Sequence, residues 1–367
     1  MSEETDSDHS PVNTSPCGTL PPLIPNLPDD ISLQCIARVP RSFHPNLSLV
    51  SRSFHSLLRS PLFYTVRSHL NISQHFLYIT IRTPRPSSSF LYFYLDPNSP
   101  KRRLVPLPPP PIPAIGSSSA VLGPRLFLLG GSVNEIPTAR VWIFDARFNR
   151  WEPGPRMRIA REFSAAGVVD GKIYVLGGCP VDSWARSTSW AEAFDPAVGS
   201  WAGVPSPADV QAKWMHGNAV LDGKVYAMAD RGGMVFDPVA GTWCSVSKRL
   251  DLGWRGRAAV VDGILYCYDY LGKIRGYDGK EDKWKQLKGV DSELPSFLCG
   301  AALANAGGRL CVIWEGKRKG KEMEIWSAEI NVFKDSGGGL SGVVLWSEVV
   351  MAVLSESSVV NCVAVGL

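Results

Sequence analysis

The sequence is poor in the patterns that build enzyme centres. It holds six His in 367 positions and no P-loop, G-x-S-x-G or H-E-x-x-H motif. Its eight Cys are scattered, with no C-x-x-C and no spacing shared with His, which argues against zinc sites and a disulfide framework. Cys35, Cys179, Cys244, Cys267, Cys311 and Cys362 lie among apolar neighbours and are expected as buried, reduced thiols of an intracellular protein. No apolar run reaches the roughly 18 residues of a membrane-spanning helix, so no membrane partner is expected. A charged start followed by an apolar core is missing too, so no secretory leader is expected. The expected compartment is cytoplasm, nucleus or both.

Strong charge is also absent. The net charge is +4, and the first 20 residues contribute four acids and no Lys or Arg. The other 347 positions carry 38 basic and 30 acidic side chains, too dilute an excess to imply nucleic acid. The one basic run, Gly316 to Lys321, sits between two strand-like stretches and reads as a solvated hairpin loop rather than a nucleic-acid patch. The acidic, polar start (1–20) is expected to be disordered.

What the chain does have is apolar mass and turns. Apolar residues make up 45%, enough for a large core, and 34 Gly with 29 Pro favour short strands and many turns. The 12 Trp are placed with regularity. Asp-x5-Trp occurs four times, at Asp145/Trp151, Asp195/Trp201, Asp237/Trp243 and Asp278/Trp284, with Trp-to-Trp intervals of 50, 42 and 41. An apolar stretch precedes each Asp. Upstream recurs an element such as "DGKIYVLGG" (from Asp170), and before that a strand of small residues such as "SAAGVV" (from Ser164).

Such a unit reads as a four-stranded antiparallel sheet. Small residues suit the crowded middle of a radial array, and Asp-Gly makes a tight hairpin turn. The Trp is expected to start an outer strand and cover the gap to the neighbouring sheet. One sheet cannot bury both faces, so units stack around an axis. Five units are visible; the last, from Gly307, lacks the Asp-x5-Trp spacing, with Trp346 as its late Trp. The segment from His75 reads as the last three strands of a sixth, and the chain's end, "SSVVNCVAVGL", as its missing first strand. Such pairing removes exposed edges. The proline run Pro106 to Pro113 then falls on a connection and reads as a rigid spacer.

The double Gly (Gly130–Gly131, Gly177–Gly178), the Tyr of the preceding strand (Tyr174, Tyr226, Tyr266) and the spaced Trp resemble kelch repeats, which build β-propellers. The resemblance implies an all-β propeller over 75–367, six-bladed and closed by the C-terminal strand.

Residues 21–70 differ in texture. Asp29 and Asp30 after Pro28 suit the first turn of a helix that Pro40 stops. In a second helical run Leu47, Val50, Phe54, Leu57 and Leu58 make one apolar stripe, which Pro61 ends. A piece this small buries too little surface to be robust alone, so its apolar side chains ask for a partner. The positions Leu27, Pro28, Asp29, Asp30, Ile31, Cys35–Ile36–Ala37, Val39–Pro40, Leu47, Val50–Ser51, Phe54, Leu57 and Leu58 resemble the F-box, a small all-α, three-helix module. F-box and kelch propeller together resemble the plant F-box/kelch-repeat family of Skp-interacting type.

The resemblance implies a substrate adaptor of a Skp–cullin–F-box ubiquitin ligase. Leu27, Pro28, Ile31, Ile36, Val39, Pro40, Leu47, Val50, Phe54, Leu57 and Leu58 would bind the Skp adaptor, and through it cullin and a RING protein. The propeller would hold a protein substrate, with Arg161, Lys213, Trp214, His216, Arg255 and Arg257 on loops of one face suited to an acidic or phosphorylated segment. No cofactor, metal or catalytic residue is expected: the His/Tyr/Cys set of a copper propeller such as galactose oxidase does not recur here. The alternative is a non-degradative scaffold that bridges protein partners.

Overall fold

The structure, a computed structural model, describes residues 22–84, 89–179, 190–206, 215, 217–229, 232–298 and 300–367. The acidic start therefore lies outside the described residues. The chain divides into two compact units between Ile72 and Ser73.

The first unit is helical. Helix α1 (Asp29–Ala37) follows Pro28 and carries Asp29 and Asp30 in its first turn, where acids meet the exposed N–H groups. A 3₁₀ turn (Arg41–Phe43) follows Pro40. The second helical run is broken into α2 (His44–Ser48), α3 (Arg52–Leu58) and α4 (Pro61–His69). Serine makes the breaks. The Ser51 hydroxyl accepts the Phe54 N–H at 3.1 Å, and the Ser60 hydroxyl accepts the Phe63 N–H at 3.3 Å, so each caps a new helix. Pro61 thus opens α4 instead of ending a helix, because the first position of a helix needs no N–H donor. The expected three helices are four. Their core is Ile36, Ala37, Phe54, Leu58 and Phe63.

Among its described residues the second unit is built of strands, with one short helix. In chain order it runs β1 (His75–Arg82), β2 (Phe90–Leu95), β3 (Val105–Leu107), β4 (Ser118–Leu122) and β5 (Arg125–Leu129). A small ribbon of β6 (Ser132–Val133) and β7 (Ile136–Pro137) precedes β8 (Val141–Asp145) and β9 (Arg150–Gly154). Then come β10 (Ala165–Val169), β11 (Lys172–Leu176), β12 (Ala191–Asp195), β13 (Ser200–Val204), β14 (Gly217–Leu221), β15 (Lys224–Ala229), β16 (Gly232–Asp237) and β17 (Thr242–Ser245). Helix α5 (Lys248–Gly253) leads to β18 (Ala259–Val261), β19 (Ile264–Tyr268), β20 (Ile274–Asp278) and β21 (Lys283–Lys288). The chain ends with β22 (Ala302–Asn305), β23 (Leu310–Lys319), β24 (Glu322–Lys334), β25 (Leu340–Leu354) and β26 (Ser358–Gly366).

These strands make a propeller-like array. Four sheets have four strands each, in the orders β26–β1–β2–β3, β4–β5–β8–β9, β10–β11–β12–β13 and β14–β15–β16–β17. The next two units, expected as separate sheets, are one sheet of eight, β18–β19–β20–β21–β25–β24–β23–β22. Leu287 and Lys288 of β21 pair in parallel with Leu340 and Ser341, at the start of the 15-residue β25, and that seam fuses them. The basic run continues β23 to Lys319 and turns at Gly320 into β24.

The strands β4, β10, β14, β18, β22 and β26 touch one another in cyclic order. Space between them is short: a Cβ on Gly167 of β10 would lie 2.6 Å from a Val220 methyl of β14. Hydrogen bonds lace them. Asn218 Nδ2 donates to the Ala166 carbonyl at 2.6 Å, Asn305 Nδ2 to the Val260 carbonyl at 2.8 Å, and Asn361 Nδ2 to the Ser119 hydroxyl at 2.7 Å.

The Asp-x5-Trp spacing is a hairpin of fixed length. Asp195 ends β12, and its carboxylate accepts the Ala197 N–H at 2.9 Å, shaping the turn. The residue before it, Phe194, stands opposite Trp201, with ring centroids 5.3 Å apart. Phe144/Trp151, Phe236/Trp243 and Tyr277/Trp284 repeat the pair. Each indole then reaches back to the preceding unit. Nε1 of Trp151, Trp201, Trp243 and Trp284 donates to the carbonyls of Pro108, Pro155, Pro205 and Arg249, at 2.8, 2.8, 2.6 and 2.8 Å. Each acceptor lies shortly beyond the outer strand of that unit. Trp346 departs from the rule: its Nε1 donates to Glu329 within its own sheet.

The indole therefore contributes in two separable ways. Trp201→Phe keeps a ring but strands the Pro155 carbonyl, and is expected to cost about 1 kcal/mol. Trp201→Ala also opens a cavity and is expected to cost about 3–5 kcal/mol. Urea unfolding of the three proteins checks the order; a Phe variant as stable as the wild type would deny the hydrogen bond a role, and equal losses in the two variants would deny the packing one.

Candidate functional site

The candidate adaptor surface lies in the helical unit, and burial divides its expected residues. Ile36, Phe54 and Leu58 are buried in the unit's own core. As structural residues they hold the shape and are corrected from contact residues, because their side chains face one another. Leu27, Val39, Leu47 and Leu57 are half-buried. Pro28, Ile31, Pro40 and Val50 are exposed. The structure adds three exposed apolar side chains the apolar stripe did not contain: Phe43, Leu49 (84% exposed) and Leu62. Their signal in the sequence is negative, since they lie off the stripe that packs inward.

A buried cation organises this unit. Arg67 of α4 is 2% exposed. Its Nη1 donates to the Ala37 carbonyl at 2.6 Å and the Val39 carbonyl at 2.9 Å, and its Nη2 to the Ile72 carbonyl at 3.2 Å. It thus satisfies carbonyls at the C-terminal end of α1, where a positive charge is favoured. His44 also meets the Val39 carbonyl, through Nε2 at 3.1 Å. Burial, with the Arg67 and Arg41 charges adding to it, pushes the His44 imidazole down to about 4. His44 is neutral at pH 7 and donates from Nε2.

In the strand-rich unit the expected basic face is only partly assembled. Lys213, Trp214 and His216 lie outside the described residues. Arg161 is not a surface reader: it is fully buried. Its guanidinium pairs with the equally buried Glu192 at 2.9 Å and donates to the carbonyls of Gly177 and Trp190 at 2.7 and 2.8 Å. Its own carbonyl accepts the Gly131 N–H at 2.7 Å. Arg161 therefore staples the sheet of β4 to the sheet of β10. Glu192 also accepts the N–H groups of Arg158 and Ile159, so the pair is enclosed in hydrogen bonds.

Arg255 is exposed and Arg257 half-buried, both on the connection from α5 to β18. That connection abuts the β19–β20 turn: a Cβ on Gly256 would lie 2.3 Å from the Tyr268 hydroxyl. Arg257 Nη1 reaches the Gly300 carbonyl at 3.5 Å, and the Leu298 N–H donates to the Gly272 carbonyl at 3.0 Å. Three loops thus meet, and they expose Tyr270, Leu271 and Phe297. Sequence reasoning missed these three; apolar residues in a turn outside the strand alternation were the signal. Cys179, Cys267, Cys311 and Cys362 are buried, whereas Cys35 and Cys244 are exposed, contrary to expectation. Cys35 lies on the outer side of α1, and Cys244 on the outermost strand of its sheet. Among the described residues no cluster of three or more His, Cys, Asp or Glu could hold a metal ion, and no helix is long and apolar enough to cross a membrane.

The chain thus consists of a compact helical unit followed by a propeller-like array. Two family models match those parts: the F-box domain over residues 24–66, and the FKB95 kelch-repeats domain over residues 81–351. The chain is 35% identical to the Arabidopsis thaliana F-box/kelch-repeat protein At4g39590, over 94% of this chain and 90% of that one. It is 34% identical to At4g39550 over 79% and 80%, and 33% identical to At4g39240 over 92% and 90%, both F-box/kelch-repeat proteins of the same plant. The chain belongs to the F-box/kelch-repeat family.

Two tests follow from these sites. The folded His44 holds its proton less tightly than an unfolded His, whose value is near 6.5. Its contribution is therefore complete above that value and is lost as pH falls from about 6.5 to 4, by on the order of 2–3 kcal/mol. Amide exchange within residues 29–69 should rise over that window, and less so in His44→Gln. Arg161→Met leaves Glu192 buried and uncompensated and should cost about 3–5 kcal/mol. Adding Glu192→Gln should recover part of that loss; a loss that the second change deepens in full would deny the pair.

Proposed function

We propose that this protein is a substrate-recognition adaptor of a Skp–cullin–F-box ubiquitin ligase, acting in cytoplasm, nucleus or both. F-box domains generally bind Skp1-type adaptors, and the observation that carries the reading is the F-box match on a unit whose apolar side chains are not all used inside it. Pro28, Ile31, Pro40 and Val50 give the adaptor a hydrophobic surface, with Leu27, Val39, Leu47 and Leu57 half-covered beneath it. The strand-rich unit, proposed as a six-bladed propeller on the cyclic order of its six inner strands, holds the protein to be ubiquitinated. Arg255 and Arg257, beside Tyr270, Leu271 and Phe297, are its substrate-facing groups.

Catalysis then needs no chemistry in this chain. Holding substrate and a charged ubiquitin-conjugating enzyme in one assembly turns a bimolecular encounter into an intramolecular one, at effective concentrations far above cellular ones.

Capture on an immobilised Skp-type adaptor tests the reading. The wild type should bind, and Leu27→Ala/Pro28→Ala should weaken binding about tenfold or more. Ile31→Asp/Val50→Asp should do the same without unfolding, since both side chains already face solvent. An intact wild-type chain that does not bind would remove the adaptor role. Cullin recovered with the complex supports the ligase; adaptor without cullin supports the non-degradative scaffold.

A further inference from the structure

Beside the outer half of the sheet β4–β5–β8–β9 lies an open groove of about 260 Å³. Ile112, on the connection from β3 to β4, forms one side. Arg140, Val141 and Trp142 at the start of β8, with Pro153 and Arg156 at the end of β9, form the rest. Strand register brings these together: Trp142 stands opposite Pro153, and Val141 opposite Gly154. The connection is held in place, because Trp151 Nε1 donates to the Pro108 carbonyl and Pro110 is buried.

The charge in this groove is uncompensated. No lining residue is acidic. The other arginines of the sheet have acids: Arg125 and Arg147 meet Asp145, and Arg150 meets Glu152. Arg140 and Arg156 make no side-chain hydrogen bond or ion pair with the described residues. The Arg140 backbone is nevertheless fixed on both sides: its N–H donates to the Thr138 hydroxyl at 3.1 Å, and its carbonyl accepts the Gly130 N–H at 2.9 Å. A rigid stem thus presents a free guanidinium beside an indole.

Two free guanidinium groups are neutralised by a dianion, and their planar forks match phosphate oxygens. A phosphate monoester carries about −1.5 to −2 at neutral pH, whereas a carboxylate carries one charge. The apolar lining asks for an apolar body, and an indole favours a flat one. The volume sits just under the roughly 300 Å³ at which drug-sized pockets begin, which suits a group the size of one side chain. We infer that this groove binds a phosphate monoester on a flat apolar body, with Arg140 and Arg156 on the phosphate and Trp142, Ile112 and Val141 against the body. The inference does not rest on the ligase reading, since it concerns residues that reading does not use.

Calorimetric titration of the full chain with phenyl phosphate tests it. Saturable binding is expected, with inorganic phosphate and phenylacetate each weaker by about tenfold. Arg140→Gln/Arg156→Gln should lose about tenfold or more for phenyl phosphate at an unchanged unfolding midpoint. Trp142→Leu should weaken phenyl phosphate while leaving inorganic phosphate as it was. Should the double variant not fold, Arg156→Gln alone, at an exposed position, must still weaken the ester. A phosphotyrosine peptide that binds tighter than phenyl phosphate assigns the groove to a modified protein; one that binds weaker assigns it to a free ester. No heat at millimolar phenyl phosphate, equal affinity for inorganic phosphate or phenylacetate, or an unaffected double variant would each overturn the inference.

Discussion

The pairing of β26 with β1 is the constraint on which the strand-rich unit depends. It runs antiparallel from His75/Gly366 to Arg82/Ser358, and the mutual hydrogen bonds of Gln74 and Leu367, both 2.8 Å, seal its end. Without it, β1 would be an edge strand reading His-Phe-Leu-Tyr-Ile-Thr-Ile-Arg, a long apolar template for another chain. Leu77, Ile79 and Ile81 would lose their cover; in the folded chain they are buried in a core shared with Val359, Cys362 and the strands of Ala302 and Cys311. The contact joins the first and last strands of the domain, so its loop-closure entropy must be met before the contact rewards it. A repeat array that closes in this way stands or falls as a ring: each inner strand has two neighbours only because the chain's end returns.

The hairpins were legible in the sequence because their rules are local. Asp shapes the turn through its own carboxylate, and the aromatic residue before it meets a Trp at a distance fixed by the turn length. Both facts survive as a spacing. The fusion of the last two units was not legible. Residues 310–354 carry no Asp-x5-Trp, and the strands of 13 and 15 residues that replace it take their length from partners elsewhere in the chain. Trp346 shows the difference: it stands opposite Glu329 and bonds to its carboxylate. A Trp at roughly the right interval was a poor guide once the turn that fixes the interval had gone.

In the helical unit the local signals are present in the sequence, but a longer pattern runs across them. Ser51 and Ser60 are cap residues, each three positions before a buried Phe, and Pro61 fits the first position of a helix. The apolar stripe from Leu47 to Leu58 reads straight through the break at Ser51. The same stripe then proposed contact residues, although a stripe identifies what faces inward. Phe54 and Leu58 fill the core, and the side chains free to meet a partner, such as Leu49 and Val50, sit where the stripe breaks at the α2–α3 junction.

Charge gives the sharpest case. Arg161 and Arg140 are both loop-side arginines of the strand-rich unit, and nothing within a few residues of either tells them apart. Arg161 finds Glu192, which lies 31 positions on, and the pair is buried. Two ions removed from water must repay several kcal/mol each by mutual attraction and hydrogen bonds, so such a pair stays closed and becomes part of the frame. Arg140 finds no acid among the described residues and lies half-buried beside Trp142, so its charge is left for an anion to meet. The role of a cation here follows from which carboxylate the fold delivers to it. That is a tertiary fact, invisible in a net charge of +4 and decisive for which arginine can meet a ligand.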